Sequence, residues 1–163
     1  MLDRKPNRLK EYDYSEPGYY FITICTKNKA EIFGKIYKSE TRLNEYGRIV
    51  EKNLKNIEVI YENTELDYYV IMPDHLHFII IIDSNRDKTE DRKKMLLSKI
   101  IQQFKRQCTV EINKAGYAFE IWQRSYYDRI IRNEKEMYFI RKYIKENPLV
   151  YEIEKGFPEN LAL

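Results

Sequence analysis

At 163 residues the chain is long enough for one domain with a real core and too short for two comfortable ones. Its 43% hydrophobic and 34% charged residues describe a globular chain rather than a disordered one. The longest apolar run, residues 68–82, is interrupted by Pro73, Asp74 and two histidines and is shorter than a membrane-spanning helix needs, while no apolar stretch follows the basic N-terminus as it does in a secretory signal. No membrane association and a cytoplasmic location are therefore expected. Cys25 and Cys108 lie far apart without a CxxC partner, which suggests neither zinc nor a disulfide framework and fits two small core residues. The net charge of +3 is modest, but 15 tyrosines are mixed among 29 lysines and arginines, and aromatic faces beside cations suit unpaired bases and a phosphate backbone.

With no repeat or low-complexity linker, one domain over residues 1–163 is expected, opening with a basic arm over 1–17. Aromatic and β-branched residues alternate over 18–28, which reads as a strand, and 30–38 as a short second strand. From Asn44, apolar residues at Ile49, Val50, Leu54 and Ile57 have helical spacing. Residues 66–71 and 75–82 are further strands around Pro73, followed by a charged loop. Over 93–114, Leu97, Ile100, Ile101, Phe104 and Cys108 share one face of a long amphipathic helix. Residues 119–128 are extended or irregular and 129–132 add a strand. Asn133 caps a last helix with Glu136 three residues on; the pattern predicts that it runs over 134–146 and stops at Pro148, leaving 149–163 as a tail. This order predicts an α+β fold, a ferredoxin-like sandwich in which helices pack on an antiparallel sheet.

The only two histidines of the chain, His75 and His77, stand two apart in the most strand-like segment. Residues i and i+2 of a strand face the same side, so the two imidazoles are expected side by side, where they can hold a divalent cation. Two ligands do not complete a site. No further histidine, HExxH helix or cysteine cluster is present, so a third ligand has to be a carboxylate, an amide or the substrate. Such an oxygen-rich site suits Mg²⁺ or Mn²⁺ and phosphate chemistry, with no organic cofactor. On the last helix Tyr143 and Asn147 are four apart and share a face, beside an apolar stripe of Met137, Ile140 and Ile144.

Five segments carry a family resemblance. They are RKPNRLKEYDYSEPGYYFITICT, LNEYGRIVEKN, YYVIMPDHLHFIII, IIQQFKRQ and IWQRSYYDRIIRNEKEMYFIRKYIKENP. HLH matches the His-hydrophobic-His (HUH) signature. Preceded by MPD and followed by the WQRSYYDRIIRNEKE and YIKENP segments, it resembles the REP-associated tyrosine transposases and the single-tyrosine HUH transposases of the insertion-sequence-200-like family. The resemblance implies the HUH endonuclease fold, Tyr143 as nucleophile, and Asn147 joining His75 and His77 as metal ligands. It also implies divalent-metal-dependent cleavage and rejoining of single-stranded DNA through a 5′-phosphotyrosine, on hairpins of palindromic repeats. Relatives often carry glutamine where this chain has the shorter Asn147.

Candidate DNA contacts are Arg4, Lys5, Arg8 and Lys10 of the arm, Lys105 and Arg106 of the long helix, and Arg124 and Arg129, with Tyr126 or Tyr127 stacking on splayed bases. The resemblance admits a homodimer and a monomer alike. Two rival readings stand beside it: a domesticated hairpin-binding protein without turnover, and a metal phosphoesterase that uses water as its nucleophile.

Overall fold

A computed structural model describes residues 18–83 and 90–156. The chain order is β1 (Gly18–Cys25), β2 (Gly34–Tyr37), β3 (Glu40–Leu43), α1 (Glu45–Ile60), β4 (Thr64–Ile71), β5 (His75–Ile82), α2 (Glu90–Lys114), β6 (Tyr127–Ile130) and α3 (Glu134–Gly156). Four strands form one antiparallel sheet in the order β4-β5-β1-β6. With α1 crossing from β1 to β4 and α2 from β5 to β6, this is the split βαβ arrangement of ferredoxin-like folds, as expected. The β2–β3 hairpin is inserted before α1, and α3 is added after β6.

Alternation along β1 sorts its residues between two layers. Tyr20, Ile22 and Ile24 are buried in the main core with Val50, Leu54 and Ile57 of α1 and Leu97, Ile100, Phe104 and Cys108 of α2. Burial pushes the Cys108 thiol well above its ordinary value, so it is an inert core residue, while Cys25 is half-buried. The central strand β5 carries an apolar run because both of its faces are covered at mid-strand. Leu76, Phe78 and Ile80 face α1 and α2, whereas Ile79 joins Ile131, Ile140 and Ile144 in a smaller cluster under α3. Helix α1 starts where its cap predicts: Asn44 Oδ1 accepts from Gly47 N at 2.9 Å.

Three expectations shift. Residues 30–38 hold only the short β2, whose partner β3 (Glu40–Leu43) escaped the sequence reading because ETRL is short and polar. Its turn residues Lys38 and Ser39 adopt φ of 50° and 61°, without the glycine or asparagine that usually flags such a turn. The last sheet strand lies at Tyr127–Ile130 rather than 129–132. The largest correction concerns α3, which does not stop at Pro148 but continues to Gly156. A mid-helix proline removes one backbone hydrogen bond and crowds the preceding turn. Here Pro148 is buried, and the turns beyond it are tied to the inserted hairpin. Glu152 Oε2 accepts from Ser39 N at 2.7 Å and from Ser39 Oγ at 3.0 Å, and Tyr151 Oη donates to Glu31. Part of the expected tail over 149–163 is therefore helix.

The tie is separable from the rest of the helix. Glu152→Ala should speed amide hydrogen exchange after Pro148, leave residues 134–144 largely protected, and cost about 1 kcal/mol in chemical denaturation.

Candidate active site

The register of β1 on β5 decides which side chains share the α3 face. Thr23 lies opposite His77, Cys25 opposite His75 and Phe21 opposite Ile79, so Phe21, Thr23, His75 and His77 all project to that face. The expectation for the two histidines holds: their ring centroids are 4.7 Å apart. Helix α3 brings Tyr143 to the same spot, 5.3 Å from the His77 ring by centroid and edge-on to Phe21 at 6.1 Å. Phe21 stacks on His77 at 5.4 Å, closing one side of the imidazole. Tyr143 is half-exposed (51%) whereas His77 is buried (5%).

Each imidazole is held through Nδ1. Asp74 Oδ1 lies 2.6 Å from His75 Nδ1, and Thr23 Oγ1 lies 2.8 Å from His77 Nδ1. Burial pushes the Asp74 carboxyl up, but its hydrogen bond to His75 and the charge there outweigh it and hold the group below its ordinary value. An ionised Asp74 can only accept, so His75 Nδ1 carries a proton, and in the neutral ring Nε2 is then the atom free to ligate. His77 is pushed down to about 3, chiefly by burial and further by neighbouring His75, so it is neutral near pH 7. In the tautomer that carries its proton on Nδ1, His77 donates to Thr23 and Nε2 is the second lone pair. Carboxylate or hydroxyl behind Nδ1 with Nε2 in front is the arrangement common to metal-binding histidines.

Asn147, one turn beyond Tyr143, is buried (8% exposed), and its amide makes no hydrogen bond among the described residues. Among the described residues no three His, Cys, Asp or Glu side chains converge as a metal site. The two imidazoles are therefore the nitrogen donors that could hold a divalent cation here, with the remaining positions left to oxygen ligands.

The expected DNA-contacting residues differ in their surroundings. Arg4, Lys5, Arg8 and Lys10 lie outside the described residues. Arg106 of α2 and Arg124 of the segment before β6 are both exposed. Lys105 is committed inward: its Nζ donates to the carbonyls of Gln123 at 2.9 Å and Ser125 at 3.2 Å, pinning the segment that leads into β6 to α2, and burial lowers its pKa. Arg129 is exposed on β6 beside Glu136 at 3.6 Å, on the same sheet face as His77. Tyr126 packs against the main core, whereas Tyr127 is 54% exposed. The residues that sequence reasoning missed are Thr23, Phe21 and Asp74. Only Asp74, directly before HLH, carried a local signal; the other two depend on strand register.

A family model described as "Transposase IS200 like" matches residues 15–147. The chain belongs to that family. An uncharacterized protein of Haemophilus influenzae is 37% identical over 162 residues, covering 91% of this chain and 90% of its own length. A second protein of that organism, provisionally described as a REP-associated tyrosine transposase, is 24% identical over 152 residues, covering 90% of this chain and 80% of its own. Among solved structures, a REP-associated tyrosine transposase bound to a REP hairpin superposes with a TM-score of 0.59 at 20% identity, over 88% of this chain and 74% of that one. A protein from Deinococcus radiodurans, provisionally described as a transposase, superposes with a TM-score of 0.52 at 16% identity, over 85% and 95%. These two likenesses speak for the fold this transposase family shares.

The depressed His77 makes a pH signature. Between its ordinary value near 6.5 and about 3, the unfolded chain binds a proton that the folded chain refuses, so stability falls as pH falls through that window. His77→Gln should flatten the slope of unfolding free energy against pH there by about one proton, measured by denaturation at successive pH values.

Proposed function

We propose that the protein cleaves and rejoins single-stranded DNA beside hairpins of palindromic repeats, through a covalent 5′-phosphotyrosine on Tyr143. The observation that carries this reading is the meeting of one half-exposed phenol with two Nδ1-anchored imidazoles in a chain of the IS200-like transposase family. The hairpin comes from the structural neighbour, which is bound to one.

His75, His77 and Asn147 would hold Mg²⁺ or Mn²⁺. When bound, that cation supplies Lewis-acid stabilisation of a non-bridging oxygen of the scissile phosphate. The chain's own residues do the rest. Asp74 and Thr23 fix the two rings so that both Nε2 atoms stay aimed outward. Phe21 and the buried Ile79–Ile144 packing hold α3 and the His77 face in place. Tyr143 Oη attacks phosphorus in line, the bond from phosphorus to the 3′ oxygen breaks, and that oxygen leaves as a free 3′-hydroxyl with the proton the phenol gave up to solvent. The phosphodiester energy is kept in the tyrosyl ester, so a second 3′-hydroxyl can reverse the step and join new ends without a nucleotide cofactor.

Denaturing gels test the chemistry. A hairpin oligonucleotide with a single-stranded flank should give a covalent adduct in Mn²⁺ and none in EDTA, and Tyr143→Phe should lower adduct formation by at least ~10³-fold; an adduct that survives Tyr143→Phe refutes the nucleophile. Hairpin binding without cleaved product across several divalent metals would leave a binding protein. The metal assignment has its own measurement. By calorimetry, Asp74→Asn and Thr23→Val should each weaken Mn²⁺ binding roughly 10–100-fold, while His75→Ala should abolish it.

A further inference from the structure

Helix α3 packs mainly against β4 and the β2–β3 hairpin, so among the described residues the β1–β6 half of its sheet face is the less covered: Phe21 and Thr23 are half-buried and Tyr127 and Arg129 are exposed. Tyr143 stands on the flank that overlooks this less covered half, since its ring meets Phe21 of β1 as well as His77. Two cross-strand rows run out from the site. One is Val70, His77, Thr23, Tyr127; the next is Ile79, Phe21, Arg129. Both end on β6, an edge strand, in an exposed aromatic and an exposed cation. Two strand spacings put Tyr127 about 10 Å from His77, within reach of the nucleotide next to a phosphate held at Tyr143.

The chemistry of the floor favours an unpaired nucleic-acid strand. An exposed tyrosine offers a face to any base, and sequence-tolerant stacking of this kind is how single strands are gripped. Among the described residues Arg129 pairs with Glu136, at 3.6 Å with its own side chain largely exposed, and such a pair is weak enough for a phosphate to displace. Neighbouring Tyr126 cannot serve, because it packs against the core on the other side. We infer that the less covered half-sheet seats the single strand adjoining the scissile phosphate, with Tyr127 stacking on the neighbouring unpaired base and Arg129 meeting the phosphate beyond it. The inference rests on the strand-transfer reading and names the surface that reading uses.

The test is binding without cleavage. Fluorescein-labelled stem–loop DNA carrying a single-stranded thymidine overhang is compared, by anisotropy in EDTA, with the same stem–loop carrying an abasic overhang. The intact chain should prefer the thymidine overhang roughly tenfold. Tyr127→Ala should erase that preference, as should Tyr127→Val, which retains strand propensity without a ring, and Tyr127→Phe should keep it. Arg129→Ala should weaken both DNAs and lower the slope of log affinity against log salt by about 0.7–1. No preference in the intact chain, or a full preference in both Tyr127→Ala and Tyr127→Val, overturns the inference. The two readings fail separately: a Tyr143 adduct without overhang preference sinks only this one, and overhang preference without an adduct supports it while sinking the strand-transfer chemistry.

Discussion

The structure depends on the antiparallel register that sets Thr23 opposite His77. Side chains alternate between faces along a strand, so a slip of one residue would drive both imidazoles into the main core and lift Leu76 and Phe78 toward α3. The core forbids that slip. Tyr20, Ile22 and Ile24 on β1, with Leu76, Phe78 and Ile80 on β5, fill the space under α1 and α2 and leave no room for two polar rings. The polar chemistry of one face is thus fixed by the apolar packing of the other.

That arrangement resolves the tension of placing histidines in a buried strand. His77 is desolvated and flanked by His75, which denies it a second proton, and Thr23 supplies a neutral hydrogen-bond partner for its Nδ1. His75 takes a different partner, the carboxylate of its own chain neighbour. Two rings two residues apart are therefore oriented by two unlike groups, one local and one brought by a strand fifty-four positions away.

What the sequence disclosed follows from how local each cause is. The period-2 pattern of β1 and the apolar spacings of α1 and α2 are written in nearby residues, and each element appears where its pattern lies. The HLH pair and the Tyr143–Asn147 spacing are equally local. Thr23 and Phe21 became visible only with strand pairing, since nothing in TIC or YFI announces a histidine partner. Lys105 looked like any exposed cation of an amphipathic helix, because the carbonyls that take it up belong to a distant irregular segment. Pro148 misled for a related reason. Its cost is local and legible, whereas the contacts of Tyr151 and Glu152 that offset it lie more than a hundred residues away.

The unbroken helix also has a mechanical meaning. Tyr143 and Glu152 ride on one rod, separated by about 14 Å at the usual helical rise, with a proline between them. Glu152 grips Ser39 at the tip of a small two-stranded ribbon that belongs to neither layer of the sheet. Whatever pushes on that ribbon therefore acts on a lever whose other arm carries Tyr143. The ribbon tip is a handle on that phenol.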